Sequence, residues 1–447
     1  MEQIKVQQVS EWCKGKVVDK HLLKKYCYGV STDSRKIREG DLFVAIKGGK
    51  YDGNLFISDA IKKGATATIT DNVQNRNKDN CIYVKNSIQA LGDIARGYKN
   101  MFTPFTIGVT GSDGKTTTKE LVKKVLSLGY KTVANEGNLN NTIGLPLSIF
   151  NIDKRDEMCV LEMGMNSKGE IDYLSKIARP DAAIITNVGT AHIGYLNSML
   201  AIAEAKSEII KNLVGEKLCL LNYDNKFYKF FEKQVEGLIL SFGTKKGAHT
   251  RGIITEEGTN FFTFIIQGQK EEFKINFWNT TLIYPVLIAY TIAKKFNINN
   301  TQFKEIIDSM KPIEGRGLIK KVGNLTVIDE SYNCNPNSLK HALDSFNRKD
   351  FKKKILIIGD MAELGKLSHI LHRNIGLYIK NLKIERLITC GKTSRIISDV
   401  SGKRGKHFED TDSLNQYLKT ILTGEETILI KGSRAIGLEK TVKYLTG

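Results

Sequence analysis

Short apolar runs and stretches with apolar residues at helical spacing take turns along most of this chain. Residues 105–109, 158–163, 182–188 and 217–221 are apolar runs that predict strands. After the first of them, Leu121, Val122, Val125, Leu126 and Leu128 predict a helix over 119–128. Residues 259–277 alternate like antiparallel hairpins, and 282–296 read as a buried helix. Ahead of this segment, 41–47, 66–70 and 81–84 predict strands, and 57–64 a helix ending at glycine. Behind it, 325–329, 355–359, 386–390 and 427–431 predict further strands. Strand and helix in alternation require parallel sheets. Pro104 marks one boundary, and Pro312 with Gly315 and Gly317 marks another. The expected fold class is α/β in three domains, 1–103, 104–312 and 313–447, with no internal repeat and no low-complexity segment.

The chain has 447 residues, 41% apolar content and six prolines, enough for each domain to bury a core. No apolar run is long enough to span a bilayer, so no membrane insertion is expected. The opening Met1-Glu2-Gln3-Ile4-Lys5 lacks the basic-then-apolar layout of a signal peptide. The seven cysteines are scattered, without a Cys-x-x-Cys pair or a Cys/His cluster, which argues against a disulfide frame and a zinc site. Together these features predict a cytoplasmic protein. The net charge of +19 raises nucleic acid as a partner. The lysines, however, are spread along the chain, with no dense basic block among aromatics. Lys352-Lys353-Lys354 reads as the solvated start of a strand. Nucleic acid is therefore not expected, and anionic small substrates suit the same charge.

The chemistry concentrates after predicted strands. Thr110-Gly111-Ser112-Asp113-Gly114-Lys115-Thr116-Thr117-Thr118 follows a strand and opens a helix. Glycines let backbone N–H groups approach an anion, and the helix N-terminus adds its dipole. Lys115 can reach terminal phosphates, and the Thr116 hydroxyl can sit on Mg²⁺. The loop is shorter than the usual spacing, which would put a glycine at Val109. Glu162 ends the 158–163 run, where a carboxylate can hold the Mg²⁺ that bridges nucleotide phosphates. His192 closes the run Thr186-Asn187-Val188-Gly189-Thr190-Ala191-His192, as a helix cap or as a ligand of metal or phosphate. On spacing alone Lys206 is a surface lysine paired with a glutamate. In 328–338, rich in amides and hydroxyls, Ser338 fits a helix cap, Asp329 a ribose contact and Arg316 a phosphate contact.

These motifs, in this order, resemble the Mur ligases of peptidoglycan assembly over essentially the whole chain. Ser31-Thr32-Asp33-Ser34-Arg35 and 40–45 look like the family's nucleotide-sugar domain, and 110–118 like its ATP loop. Asn138-Leu139-Asn140-Asn141 is similar to the stretch facing the muramoyl-peptide. The segments 162–171, 331–336 and 359–365 match the branch that adds D-alanyl-D-alanine. The resemblance implies an N-terminal nucleotide-sugar domain, a central P-loop parallel-sheet ATPase domain and a C-terminal Rossmann-like domain. It implies an ATP-dependent ligase that joins D-alanyl-D-alanine to UDP-N-acetylmuramoyl-tripeptide through an acyl phosphate, with two Mg²⁺ ions, as a monomer. It also implies roles. Gly111, Ser112, Asp113, Gly114, Lys115, Thr116, Thr117, Asn279, Arg316 and Asp329 would bind ATP. Thr116, Glu162, His192 and a carbamylated Lys206 would hold the metals. Ser31, Asp33, Ser34, Arg35, Gly48, Gly49, Asn138, Asn140, Asn141, Asn333 and Asn335 would bind substrate.

Departures from the family pattern are Asp113 in the loop, Asn54 in place of a frequent histidine, and Trp278-Asn279-Thr280 around the adenine position. Two other readings stay open. A folylpolyglutamate-synthase-like ligase, or a ligase for another cell-wall precursor, shares the loop and the chemistry. A P-loop switch without ligase activity has no obvious use for the 360–365 loop.

Overall fold

The computed structural model describes residues 1–49, 51–402 and 405–447. A nine-stranded sheet occupies the middle of the chain. Its order is Glu272–Ile275, Phe262–Ile266, Thr250–Glu257, Ile239–Gly243, Leu218–Asn222, Ala182–Ile185, Phe105–Thr110, Met158–Glu162, Thr132–Ala134. Neighbours are parallel from Thr132–Ala134 to Thr250–Glu257, and the last two strands fold back as antiparallel hairpins.

Phe105–Thr110 sits between Met158–Glu162 and Ala182–Ile185, and the chain order reverses there. Such a switch point leaves a crevice beyond the strands' carboxyl ends. The register puts three strand ends side by side, with Glu162 opposite Val109 and Ile185 opposite Thr110. All three are nearly continuous apolar runs because helices cover both sheet faces.

A five-stranded sheet lies before it, ordered Lys16–Val17, Cys81–Tyr83, Ala67–Thr70, Asp41–Val44, Gly29–Ser31. A six-stranded sheet lies after it, ordered Leu318–Val322, Leu325–Glu330, Thr427–Lys431, Lys354–Gly359, Arg386–Cys390, Gly405–Phe408. Strand alternation divides the apolar residues between cores. Leu42 and Val44 join the main core, while Phe43 and Ala45 face a smaller one. Leu356 and Ile358 likewise join the main core, which spans all three sheets, while Ile355 and Ile357 form another with Leu414 and Leu418. The first domain is fastened to the centre by Tyr98, whose hydroxyl donates to Ile152 O at 2.7 Å and accepts from Glu2 N.

Several sequence expectations shift. The helix after the glycine loop is Lys115–Leu126, beginning inside the loop motif, because Gly114 at φ 78° turns the chain straight into it. The hairpins start at Thr250, earlier than the alternation indicated. Lys217 lies outside its strand at φ 48°. Lys354 is not solvated. It starts its strand buried, its ammonium donating to Asn347 O at 2.9 Å. The cap of helix Pro336–Arg348 is Asn335 rather than Ser338, which completes a capping box from the third helical position.

Candidate active site

The crevice at the switch point gathers the predicted residues from three strand ends. Gly111 must lack a side chain, because a Cβ there would lie 1.8 Å from Thr186 Oγ1. Lys115 folds back over the loop, its ammonium donating to Gly111 O at 2.9 Å and Ser112 O at 3.3 Å. The first N–H groups of its helix lack intrahelical acceptors, as at any helix start, and are aligned for an anion.

Sequence reasoning overlooked Asn187. Its Oδ1 accepts from Ser112 N at 3.1 Å and Asp113 N at 2.9 Å, so it braces the loop from the neighbouring strand. These two N–H groups are therefore turned to Asn187 rather than to a phosphate. Ser112 Oγ accepts from Gly189 N at 2.8 Å, and Thr186 Oγ1 donates to Asp113 O at 2.7 Å. The Asp113 carboxylate, the anion out of place among phosphates, accepts from Asn335 Nδ2 at 2.7 Å. That bond comes from the C-terminal domain.

Glu162 is buried, 1% exposed, on the other side of the loop strand. Asn135 clamps its backbone, accepting from Glu162 N at 2.9 Å and donating to Glu162 O at 3.0 Å. Asn140 Nδ2 donates to Oε1 at 2.7 Å, and Oε2 is buried with no partner. The residues 138–141 are thus tied to the Glu162 carboxylate through Asn140, while Asn141 Oδ1 accepts from Ile143 N and Gly144 N just ahead of and at the start of Gly144–Ile149.

Lys206 is not at the surface. It is 1% exposed on helix Met199–Lys211, within electrostatic reach of Lys115 and Asp113. Burial first, and then the charge of Lys115, push its pKa well below the usual lysine range.

His192 holds the N-cap position of Ile193–Leu196 at φ 65°, but its side chain caps nothing. Nδ1 stands 2.8 Å from Glu363 Oε2, a close contact though not a straight hydrogen bond. The neighbouring ring holds the Glu363 carboxyl below its ordinary range. Beside it Gly194 N donates to Glu363 O at 3.0 Å.

At Gly194 an added Cβ would lie 2.3 Å from Gly365 N. Gly194→Ala should therefore wedge the two domains apart at the crevice. A misplacement of this size lowers turnover by roughly a hundredfold while ATP affinity stays within about threefold, as steady-state rates and calorimetry would read.

The remaining predicted residues are engaged by other partners. Asn279 caps Thr280–Leu282 and donates to Glu330 Oε1 at 3.3 Å, and Trp278 Nε1 donates to the same oxygen. The Arg316 guanidinium stacks over the Tyr332 ring at 4.1 Å. Asp329 is fully engaged locally, accepting from Ser331 N, Ser331 Oγ and Gly315 N, so in this arrangement its carboxylate staples the linker turn. Asn333 accepts from Cys334 N, and its carbonyl accepts from Lys431. Ser31, Asp33, Ser34, Arg35, Gly48 and Gly49 stay in the N-terminal domain. Arg35 chelates Asp33, lowering that carboxyl to about 2. Among the described residues, none of the hydrogen bonds of this group reaches the central sheet.

Among the described residues no cluster of three or more His, Cys, Asp or Glu side chains could cage a metal unaided. Mg²⁺ that arrives on nucleotide phosphates needs only one or two protein oxygens. The unpartnered Glu162 Oε2 and the Thr116 hydroxyl at the helix start fit that requirement.

Family models match in three blocks: a Mur ligase family catalytic domain over 27–99, a Mur ligase middle domain over 109–293 and a Mur ligase glutamate ligase domain over 315–434. The UDP-N-acetylmuramoyl-tripeptide–D-alanyl-D-alanine ligase of Bacillus subtilis is 34% identical over 98% of this chain and 98% of its own. The chain belongs to the Mur ligase family. A ligase of the same name from Rickettsia prowazekii is 32% identical over 94% of this Mur ligase and 95% of its own. A crystal structure of MurF from Acinetobacter baumannii superposes with a TM-score of 0.90 at 25% identity, over 100% of this chain and 99% of its own. MurF from Thermotoga maritima, in complex with ADP, superposes with a TM-score of 0.84 at 27% identity, over 96% and 98%. The Mur ligase architecture is thus the three-domain α/β arrangement seen here, with the glycine loop in the middle domain.

Proposed function

We propose that this Mur ligase joins D-alanyl-D-alanine to UDP-N-acetylmuramoyl-tripeptide at the expense of ATP, a step in peptidoglycan precursor synthesis. A carboxylate does not react with an amine at neutral pH, so it is first activated. The γ-phosphoryl group passes from ATP to a carboxylate oxygen of the tripeptide, and ADP leaves. The amine nitrogen of the dipeptide then attacks the acyl carbon. The C–O bond to phosphate breaks with its electron pair, and the amine gives up a proton.

Lys115 swings from its loop carbonyls onto the terminal phosphates and offsets their charge, with Arg316 as a second cation. Thr116 and Glu162 would hold one Mg²⁺, and His192 with a carbamate on Lys206 would hold a second. Ions held there would supply positive charge against that of the phosphates and the incoming carboxylate. Asn138, Asn140 and Asn141 line the acceptor side of Glu162. Ser31 to Arg35 with Gly48 and Gly49 take the uridine diphosphate, and Asn333 and Asn335 lie on the dipeptide side. ATP and a nucleotide-linked sugar as substrates suit the cytoplasm. No helix among the described residues is long and apolar enough to cross a membrane. The enzyme acts as a monomer, since its three domains together supply every group named.

The observation that carries this reading is the roof of the ATP crevice. The third domain touches the phosphate loop itself, through Asn335 on Asp113, and the flanking His192 through Glu363. A nucleotide switch would not require a second substrate domain at that point. The test is ADP release with tripeptide and dipeptide supplied separately and together, and the product mass by mass spectrometry. Turnover is expected only with both, with the amide product in equal amount. ATP turnover indifferent to the muramoyl-peptide would sink the proposal.

A further inference from the structure

The junction between the central and C-terminal domains carries one more role. Two non-glycine residues in the left-handed region meet there, His192 at φ 65° and Glu363 at φ 61°. Such a backbone is strained in an L residue, and it persists where the surroundings hold it in place. Glu363 is held on both sides. Its carbonyl accepts from Gly194 N, and its carboxylate faces the His192 ring.

Behind it, the loop 360–365 is pinned from inside the C-terminal domain. Asp360 accepts from the N–H groups of Lys392, Thr393 and Ser394. His372, fully buried on helix Ser368–Lys380, accepts from Met361 N at Nε2, 3.0 Å, and meets Ser368 O at Nδ1, 2.8 Å. The two contacts fix one neutral tautomer, with the proton on Nδ1. A buried imidazole held by two backbone groups, with the Ser368 hydroxyl also 3.3 Å from Nδ1, is a strut for that loop.

We propose that Glu363 is a positioning residue of the ligation. It reaches across the junction when the domains are docked and sets the orientation of the His192 ring, and His372 sets the loop that carries it. The inference rests on the ligase reading above. It adds that the ATP site is complete only with this side chain of the third domain in place. A carboxylate on one ring nitrogen holds the imidazole in one orientation with its other nitrogen free.

Glu363→Ala and Glu363→Gln test it, with His372→Leu and His372→Gln. Turnover with all three substrates and the ¹⁵N resonances of the His192 ring are both recorded, the latter assigned with His192→Gln. Glu363→Ala should lower kcat about tenfold or more, as loss of an orienting partner does, with KM for ATP within about threefold. The His192 resonances should move. Glu363→Gln keeps an oxygen facing Nδ1 and should restore most of the rate and the native resonances. His372→Leu should behave like Glu363→Ala, and His372→Gln, whose amide oxygen can accept from Met361 N, should recover. Native kcat in Glu363→Ala, equal loss in the alanine and glutamine variants, or unmoved His192 resonances would each overturn the inference. If the wild-type enzyme makes no amide bond, the ligase reading falls, and the resonances alone still decide whether Glu363 orients the ring.

Discussion

Lys115→Ala should abolish ligation and leave the fold standing. In the structure its ammonium rests on two carbonyls of its own loop, Gly111 and Ser112, and those oxygens can take water when it goes. The stability cost is about 1 kcal/mol for such exchanged hydrogen bonds. On the proposed reading the catalytic cost is larger, because the same cation meets charge that builds up during phosphoryl transfer. Removing one preorganised group of this kind costs roughly 10²–10³ in rate. Coupled ADP release should fall by that factor while the thermal midpoint moves by only a few degrees. Wild-type turnover in Lys115→Ala would show that the glycine loop does not bind ATP productively.

Lys206→Ala should be almost as damaging, for a different reason. A charged lysine tolerates truncation on a surface, but this amine is buried, and burial with Lys115 nearby favours its uncharged form. An uncharged amine adds to CO₂, forming an N–C bond, releasing a proton and leaving a carboxylate. On the proposed reading, loss of that carboxylate should cost on the order of 10² in rate, comparable with loss of an electrostatic catalyst. Acetate should return part of the activity by standing in for it. Independently of activity, ¹³C-bicarbonate should give the wild-type protein a carbamate resonance that Lys206→Ala lacks. Full activity without acetate, or no such resonance, would leave Lys206 as a buried amine with a packing role.

Most strands in the middle of each sheet were legible from sequence because strands covered on both faces are largely apolar, as Met158–Glu162 and Ala182–Ile185 are, although the interior strand Ile239–Gly243 was not read. Several edge strands were not. Lys16–Val17 and Gly405–Phe408 are short and polar, so nothing in their pattern separates them from loops. The glycine loop announced itself because its chemistry is local, one strand end and one helix start. Lys206 was misplaced at the surface because its environment comes from elements distant in sequence, and helical spacing alone carries no burial. Asn187 could have been found, since an amide directly after a strand, beside the switch point, is well placed to brace a loop. The pairing of Asp113 with Asn335 could not, because the partners lie 222 residues apart. The same holds for His192 and Glu363, whose meeting depends on how two domains dock.

The staple at Asp329 fixes where the chain can bend. Gly315 N donates to the Asp329 carboxylate, Gly317 N to its carbonyl, and Tyr332 N to Gly315 O, so this turn travels with the last sheet. Arg316 N donates to Ile313 O, which brings Ile313 along. On the other side Met310 N bonds to Ile307 O and belongs to helix Asn300–Asp308. Lys311 and Pro312 are left between them as the pivot, and the proline ring removes one of their torsions. Angular play in so short a segment is magnified with distance. The covalent path between the two domains thus narrows to a single dipeptide, so their docked arrangement depends on the contacts that cross the junction, Asn335 to Asp113, Gly194 to Glu363 and Asn279 to Glu330, rather than on the linker.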